Sequence, residues 1–187
     1  MYICYKYPYI VGNILTAVLP EQAAVWSYPV GGINGDCLRD IPKSWVDENV
    51  DSDRVALNMI NSFLGRMHLA SNIGLLDGER LDLIKEGVDY YNSLSQMKKC
   101  AVPYLPIGLC KMEDKTVCAG LKNGDKIYLA VYNLDGDTKK QIPICKNVKF
   151  ANVGYPKNSK VKVCFSDNIL TVEFTEKRQA VFVEVGV

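Results

Sequence analysis

Ala23-Ala24-Val25-Trp26-Ser27-Tyr28-Pro29 is the stretch on which the fold turns. It is a compact apolar run closed by a proline, the pattern of a buried strand. Upstream, Pro8 suits the first turn of a helix, where its missing N–H would be unpaired anyway. Ile10, Ile14, Ala17 and Val18 fall on one helical face, and Pro20 ends the run. Downstream, Gly31-Gly32-Ile33-Asn34-Gly35-Asp36 reads as loop, continuing through Pro42 to the acidic stretch Asp47-Glu48-Asn49-Val50-Asp51. Ser52 or Asp53 is placed to cap a second helix, with Ala56, Leu57, Ile60, Phe63 and Leu64 as its core face. Residues 66–70 read as a second short strand. Asp77 then caps a third helix, with Glu79 near its positive end. That helix buries Leu81, Ile84, Val88 and Tyr91, widened by Leu83, Tyr90 and Leu94, and runs into the C-terminal cations Lys98 and Lys99. Strands alternating with helices predict parallel βα units.

The chain changes character near residue 100. Residues 103–108 form a proline-stiffened connector. Short strands follow at 116–121, 126–132, 139–144, 160–165, 169–174 and 179–185. Asn123-Gly124-Asp125, Asp135-Gly136-Asp137 and Ser166-Asp167-Asn168 mark turns. Ile127, Leu129 and Val131 alternate with Tyr128, Ala130 and Tyr132, and Leu170, Val172 and Phe174 alternate with Thr171 and Glu173. This pattern predicts an antiparallel sandwich.

The whole chain sets bounds on function. Its 187 residues, 48% hydrophobic and 23% charged with net charge +1, suit one or two globular domains. Such a balance excludes a large basic patch for nucleic acid. The longest apolar stretch, residues 14–19, is far short of the ~20 residues needed to span a bilayer, so no membrane partner is expected. Residues 1–6 lack a secretory pattern. Seven cysteines, none in C-x-x-C spacing, read as buried thiols of a reducing cytoplasm, with no metal site and no cofactor.

Several stretches together resemble bacterial α-galactosidases of glycoside hydrolase family 36. They are Lys6-Tyr7-Pro8-Tyr9-Ile10-Val11, Leu19-Pro20-Glu21-Gln22 running into the first strand, and Ala56 through Ser71 with Gly65-Arg66-Met67-His68. Lys85-Glu86-Gly87, Tyr90-Tyr91 and Val102 through Leu109 complete the set. The resemblance covers roughly residues 6–110, while the β-rich half fits the family's C-terminal sandwich by position and pattern.

The resemblance implies an α/β plus all-β chain. Residues 1–98 would be the last two βα units of a (β/α)8 TIM barrel, and residues 99–187 a C-terminal antiparallel β-sandwich. It implies hydrolysis of terminal α-galactosides by the full-length protein. The family's two catalytic aspartates lie upstream of the matched region, so this part alone is expected to be inactive. The abrupt start of the match at Lys6 is read as a shortened frame, gene fragment or cut chain. The alternative is a non-catalytic carbohydrate-binding or assembly module that completes a barrel with another chain. Residues 1–98 alone are expected to be poorly soluble or oligomeric, and residues 99–187 to fold independently.

Sugar chemistry then selects candidate residues. A retaining glycosidase needs two carboxylates about 5–5.5 Å apart at the C-terminal face of a barrel of about 250 residues. Glu21 precedes the first strand, at the wrong face. Asp36 and Asp40 follow it on the correct face but read as loop residues, and residues 47–53 lack calcium-loop spacing. By resemblance Trp26, Ser27 and Tyr28 line or support the galactose pocket, where aromatic faces stack on pyranose C–H groups. Core packing of Trp26 on the next helix is the competing reading. His68, the one histidine, ends the second strand and reads as a pocket-edge or hydrogen-bonded structural residue. Arg66 belongs to the inner barrel or to an ion pair. No Gly-x-Ser-x-Gly elbow is present, and no helix opens after Gly31-Gly32 to bind phosphate.

Overall fold

Two apolar cores on opposite faces of one sheet organise the chain. The computed structural model describes residues 3–30, 50–144 and 148–187. In chain order the first half contains α1 (Ile3–Ile14), β1 (Ala24–Ser27), α2 (Ser52–Ile60), β2 (Arg66–Leu69), α3 (Gly78–Ser93) and α4 (Ser95–Lys98). β1 and β2 pair in parallel, Ala24 opposite Arg66 and Trp26 opposite His68. Two strands do not make a barrel, and no further strand joins this pair among the described residues.

The second half supplies β3 (Val102–Tyr104), β4 (Thr116–Asn123), β5 (Lys126–Asn133), β6 (Lys139–Pro143), β7 (Phe150–Tyr155), β8 (Lys162–Ser166), β9 (Ile169–Glu173) and β10 (Gln179–Gly186). One antiparallel sheet runs β3-β4-β5-β10-β7 and a second runs β6-β9-β8. β3 overlaps the stretch expected to be a connector, and β7 lies inside one left without an element. Pro103 fits β3 because that strand is an edge of its sheet, where a missing N–H costs no ladder bond.

The alternation in β5 buries both of its faces. Ile127, Leu129 and Val131 join Val181, Val183, Leu170 and Val172 in a core between the two sheets. Tyr128, Ala130 and Tyr132 join Phe182, Phe63, Leu57 and Ile60 in a core between the larger sheet and the helices. The molecule is therefore layered as helices, five-stranded sheet and three-stranded sheet. The first core takes residues from both halves of the chain. At its centre Phe63 meets Tyr155, Phe182 and Tyr90 with ring centroids 5.0, 5.4 and 5.6 Å away. Tyr90 also donates its hydroxyl to Glu184 on β10, tying α3 to the sheet. Burial, reinforced by that carboxylate, raises the Tyr90 pKa well above the tyrosine range.

Three helix expectations need correction. α1 starts at Ile3, so Pro8 lies inside it at the cost of one helical hydrogen bond. Val11 in it and Leu15 just past its end are buried, while Ile10 and, in the following turn, Val18 stay exposed at 51% and 39%. The reason is docking onto β4's side of the molecule: Asn13 Nδ2 donates to the Cys110 carbonyl at 2.8 Å, and Asn13 Oδ1 accepts from the Cys110 N–H at 3.1 Å. A Cβ at Gly12 would come 2.5 Å from Cys110 Sγ, so this approach needs glycine. The second helix is capped by Asp51, whose carboxylate accepts from Arg54 N at 2.7 Å, and not by Ser52 or Asp53. Asp53 instead accepts from the buried Gln179 Nε2 at 2.8 Å, which joins α2 to the start of β10. In α3 only Ile84 and Gly87 are buried outright, because that helix lies over α2 and the edge strand β7.

Candidate functional site

The alternation of β1 decides which predicted site residues meet. Val25 and Ser27 turn toward α2 and the core. Trp26 turns to the opposite face with 39% of its surface exposed. Register places Ala24, Trp26, Arg66 and His68 on that face together. The imidazole of His68 lies on the Trp26 indole, with ring centroids 5.0 Å apart and an interplanar angle of 23°. His68 is half-buried, and its Nε2 is buried without a hydrogen-bond partner among the described residues.

The structure thus brings Trp26 and His68 together and turns Ser27 away. Ser27 is completely buried, and its hydroxyl donates to the Asn58 carbonyl at 2.8 Å. It anchors β1 to α2 beneath the exposed face. Tyr28 follows the strand and is buried. Just beyond, Val30 N donates to Ser71 Oγ at 3.3 Å, joining the C-terminal ends of the two strands. Arg66 is exposed on the Trp26 face, and Glu21 is exposed before β1, at the other end of the strand. Asp36 and Asp40 lie outside the described residues. The four residues sharing this face by register include no carboxylate.

The entry into β2 is tightly built. Gly65 precedes it, and a Cβ there would collide with the Ala23 carbonyl oxygen. Lys98, at 5% exposure, donates Nζ to the carbonyls of Gly65 at 3.1 Å and Phe63 at 3.4 Å. Its ammonium also sits 3.5 Å from the Tyr91 ring centroid. Lys98 therefore serves the turn between α2 and β2, not the end of α3 as its sequence position suggests. Burial pulls its pKa down to about 8. Sequence reasoning missed this group because cations at helix ends are common, and nothing local reveals a partner more than thirty residues away.

A separate open cleft of about 410 Å³ lies between the N-terminal halves of α2 and α3 and the turns beside β8 and β10. Its wall is acidic, including Asp51, Asp53, Glu79, Asp82, Glu86 and Glu176. Most of these have structural work: Asp51 caps α2, Asp53 holds Gln179, Asp82 pairs with Lys85, and Glu86 accepts from Lys157 N. Trp26 and His68 do not line it.

Among solved structures, the chain is similar to the galactosidase domain of the α-galactosidase–sucrose kinase AgaSK. The TM-score is 0.53 at 12% identity, over 75% of this chain and 20% of that one. The fold is glycoside-hydrolase-like. A second similar structure is the family 36 α-galactosidase AgaA from Geobacillus stearothermophilus, with TM-score 0.49, 8% identity and coverage of 71% and 19%. A third is the α-fucosidase of Thermotoga maritima, with TM-score 0.36, 11% identity and coverage of 88% and 39%. At 12% identity the likeness to the AgaSK domain is one of fold alone. The chain spans about a fifth of the AgaSK galactosidase-domain chain. No family model matches it, and no curated protein matches it in sequence.

Proposed function

We propose that this chain is the C-terminal part of an α-galactosidase-like glycoside hydrolase. In this reading residues 1–98 contribute the last two βα units of a (β/α)8 barrel, and residues 99–187 are its C-terminal β-sandwich. The observation that carries the reading is the Trp26–His68 stack on the open face of a parallel strand pair, within a fold similar to a galactosidase domain. An indole at this position offers an apolar plane to the C–H face of a sugar, and a partly buried imidazole offers a hydrogen bond to a hydroxyl. Ser27 and Tyr28 support that wall from behind. Bond cleavage needs two carboxylates, and the described residues that share this face by register include none. The chain's role is then to position an α-galactoside, while the acid/base and nucleophile come from other barrel strands. The free cysteines Cys100, Cys110, Cys118 and Cys164 suit a reducing cytoplasm.

Two assays test this. The purified chain is expected to leave p-nitrophenyl α-galactoside unhydrolysed, and turnover would place a complete catalytic site within it. Galactose is expected to perturb Trp26 fluorescence in a chain carrying Trp45→Phe, and the effect should vanish in Trp26→Ala. Saturating galactose without any change would end the sugar-wall reading.

A second reading is an assembly module that completes a barrel with a separate chain. The apolar stripe Ile10, Ile14, Ala17 and Val18 favours it, because Ile10 and Val18 stay exposed while Val11 and Leu15 bury. Light scattering on the purified chain separates a monomer from an associating species.

A further inference from the structure

β2 has two edges, and its hydrogen bonds show which is which. Arg66 N and Ala70 N donate to the carbonyls of Ala23 and Ser27, toward β1. Strand alternation therefore aims the Met67 N–H at the opposite edge. Tyr91 Oη accepts that N–H at 3.0 Å. The Tyr91 ring is in turn held under the Lys98 ammonium, whose other contacts are the Phe63 and Gly65 carbonyls leading into β2. One buried cation thus fixes both the backbone entering β2 and the phenol that closes its outer edge.

The requirement for such a latch is geometric. β2 is four residues long and, among the described residues, pairs with a single four-residue strand. Its outward face packs only through the His68–Trp26 stack, and on the inward face Met67 and Leu69 are packed against the core but only partly buried. A slip of one residue would turn His68 to the core and Met67 onto the Trp26 face. Directional bonds to Met67 N and to the Gly65 carbonyl reinforce the packing of Met67 and Leu69 against that slip and fix the tilt of the strand as well. A buried ammonium is costly to hold, and its clearest return is specificity of arrangement.

We propose that Lys98 and Tyr91 are positioning residues that lock the register and tilt of β2 and so hold His68 stacked on Trp26. The inference deepens the sugar-wall reading and takes its functional meaning from it, yet its geometry can be tested without sugar.

His68 is the only histidine, so its imidazole Hε1 gives a single proton NMR signal. Stacking on the indole displaces that signal by the ring current, and Trp26→Ala marks the unstacked position. Tyr91→Phe keeps the ring beneath Lys98 but removes the acceptor for Met67 N–H. Lys98→Met keeps the volume but removes the cation. Each variant is expected to move the His68 signal at least about half-way to the unstacked position while still melting cooperatively. If Lys98→Met does not fold, Tyr91→Phe decides. A folded Tyr91→Phe chain with its His68 signal at the wild-type position would overturn the proposal, as would a wild-type signal already at the Trp26→Ala position. Galactose titration of the same samples reads the other question. A displaced His68 signal without sugar binding in the wild type would keep the latch and refute the sugar wall.

Discussion

Replacing Phe63 with Ala tests the layered architecture at its centre. Phe63 has no exposed surface and touches Tyr155, Phe182 and Tyr90 at centroid distances of 5.0, 5.4 and 5.6 Å, with interplanar angles of 69°, 78° and 47°. Truncating a buried phenylalanine costs about 3–5 kcal/mol, a transfer part plus a cavity part. Edge-on aromatic partners add ~0.5–1.5 kcal/mol per pair, incompletely additive. The cavity would open between α2 and a sheet packed on both faces, where neither layer can close over it. The expected loss is therefore at the upper end, ~4–5 kcal/mol. With a urea slope of ~2 kcal/mol/M, the midpoint falls by roughly 2 M. The melting temperature falls by roughly 8–20 °C for a chain of this size. Phe150→Ala is the control: Phe150 is 43% exposed on β7, and its loss is expected to stay below ~1 kcal/mol. The assay is urea unfolding followed by both far-UV and near-UV circular dichroism. A Phe63→Ala loss no larger than that of Phe150→Ala would refute a core shared between helices and sheet.

Other perturbations follow from single features. Lys98 has a folded pKa of about 8 against 10.5 for a free lysine, so between these values the unfolded chain binds more protons and the Lys98 contribution to stability rises with pH. Wild-type minus Lys98→Met stability, measured by urea midpoint from pH 7.5 to 10.5, should show that rise, and a flat difference would refute it. The β8–β9 turn holds Asp167 and Asn168 at φ 51° and 64°. Asn168→Val should cost about 1–2 kcal/mol and Asn168→Gly almost nothing, read from thermal melts. Residues 99–187 alone are expected to keep the inter-sheet core, which is wholly their own, but to self-associate through the uncovered Tyr132 and Phe182 face. A monomeric fragment in light scattering would contradict that.

Much of the architecture was readable from local pattern. The Ala24–Ser27 and Arg66–Leu69 strands and the Ser166-Asp167-Asn168 turn follow from side-chain size and tolerance of positive φ, which act over a few residues. Asp77 does precede α3, but its carboxylate takes the Arg80 guanidinium and caps no backbone N–H. Trp26 and His68 stood out as candidates because each falls toward the C-terminal end of an expected parallel strand, and His68 is the one histidine. The errors have a common cause. α1 carries two apolar faces, and periodicity cannot say which one meets β4's side of the molecule. Asp51, Ser52 and Asp53 are all competent caps, and the demand of Gln179 for Asp53 separates them. Lys98 looked like a helix-end cation until the turn at residues 63–65 was folded against it.

Local pattern carried most of the elements, though not β3 or β7, and the alternation that arms both faces of β5. Those depend on backbone preferences and on a period of two or 3.6 residues, which a chain carries with it. The stacking of Trp26 on His68, the inward turn of Ser27 and the buried lysine beneath β2 arise only on folding. Each of these is a relation between segments thirty or more residues apart, created when burial of the two cores brings them together.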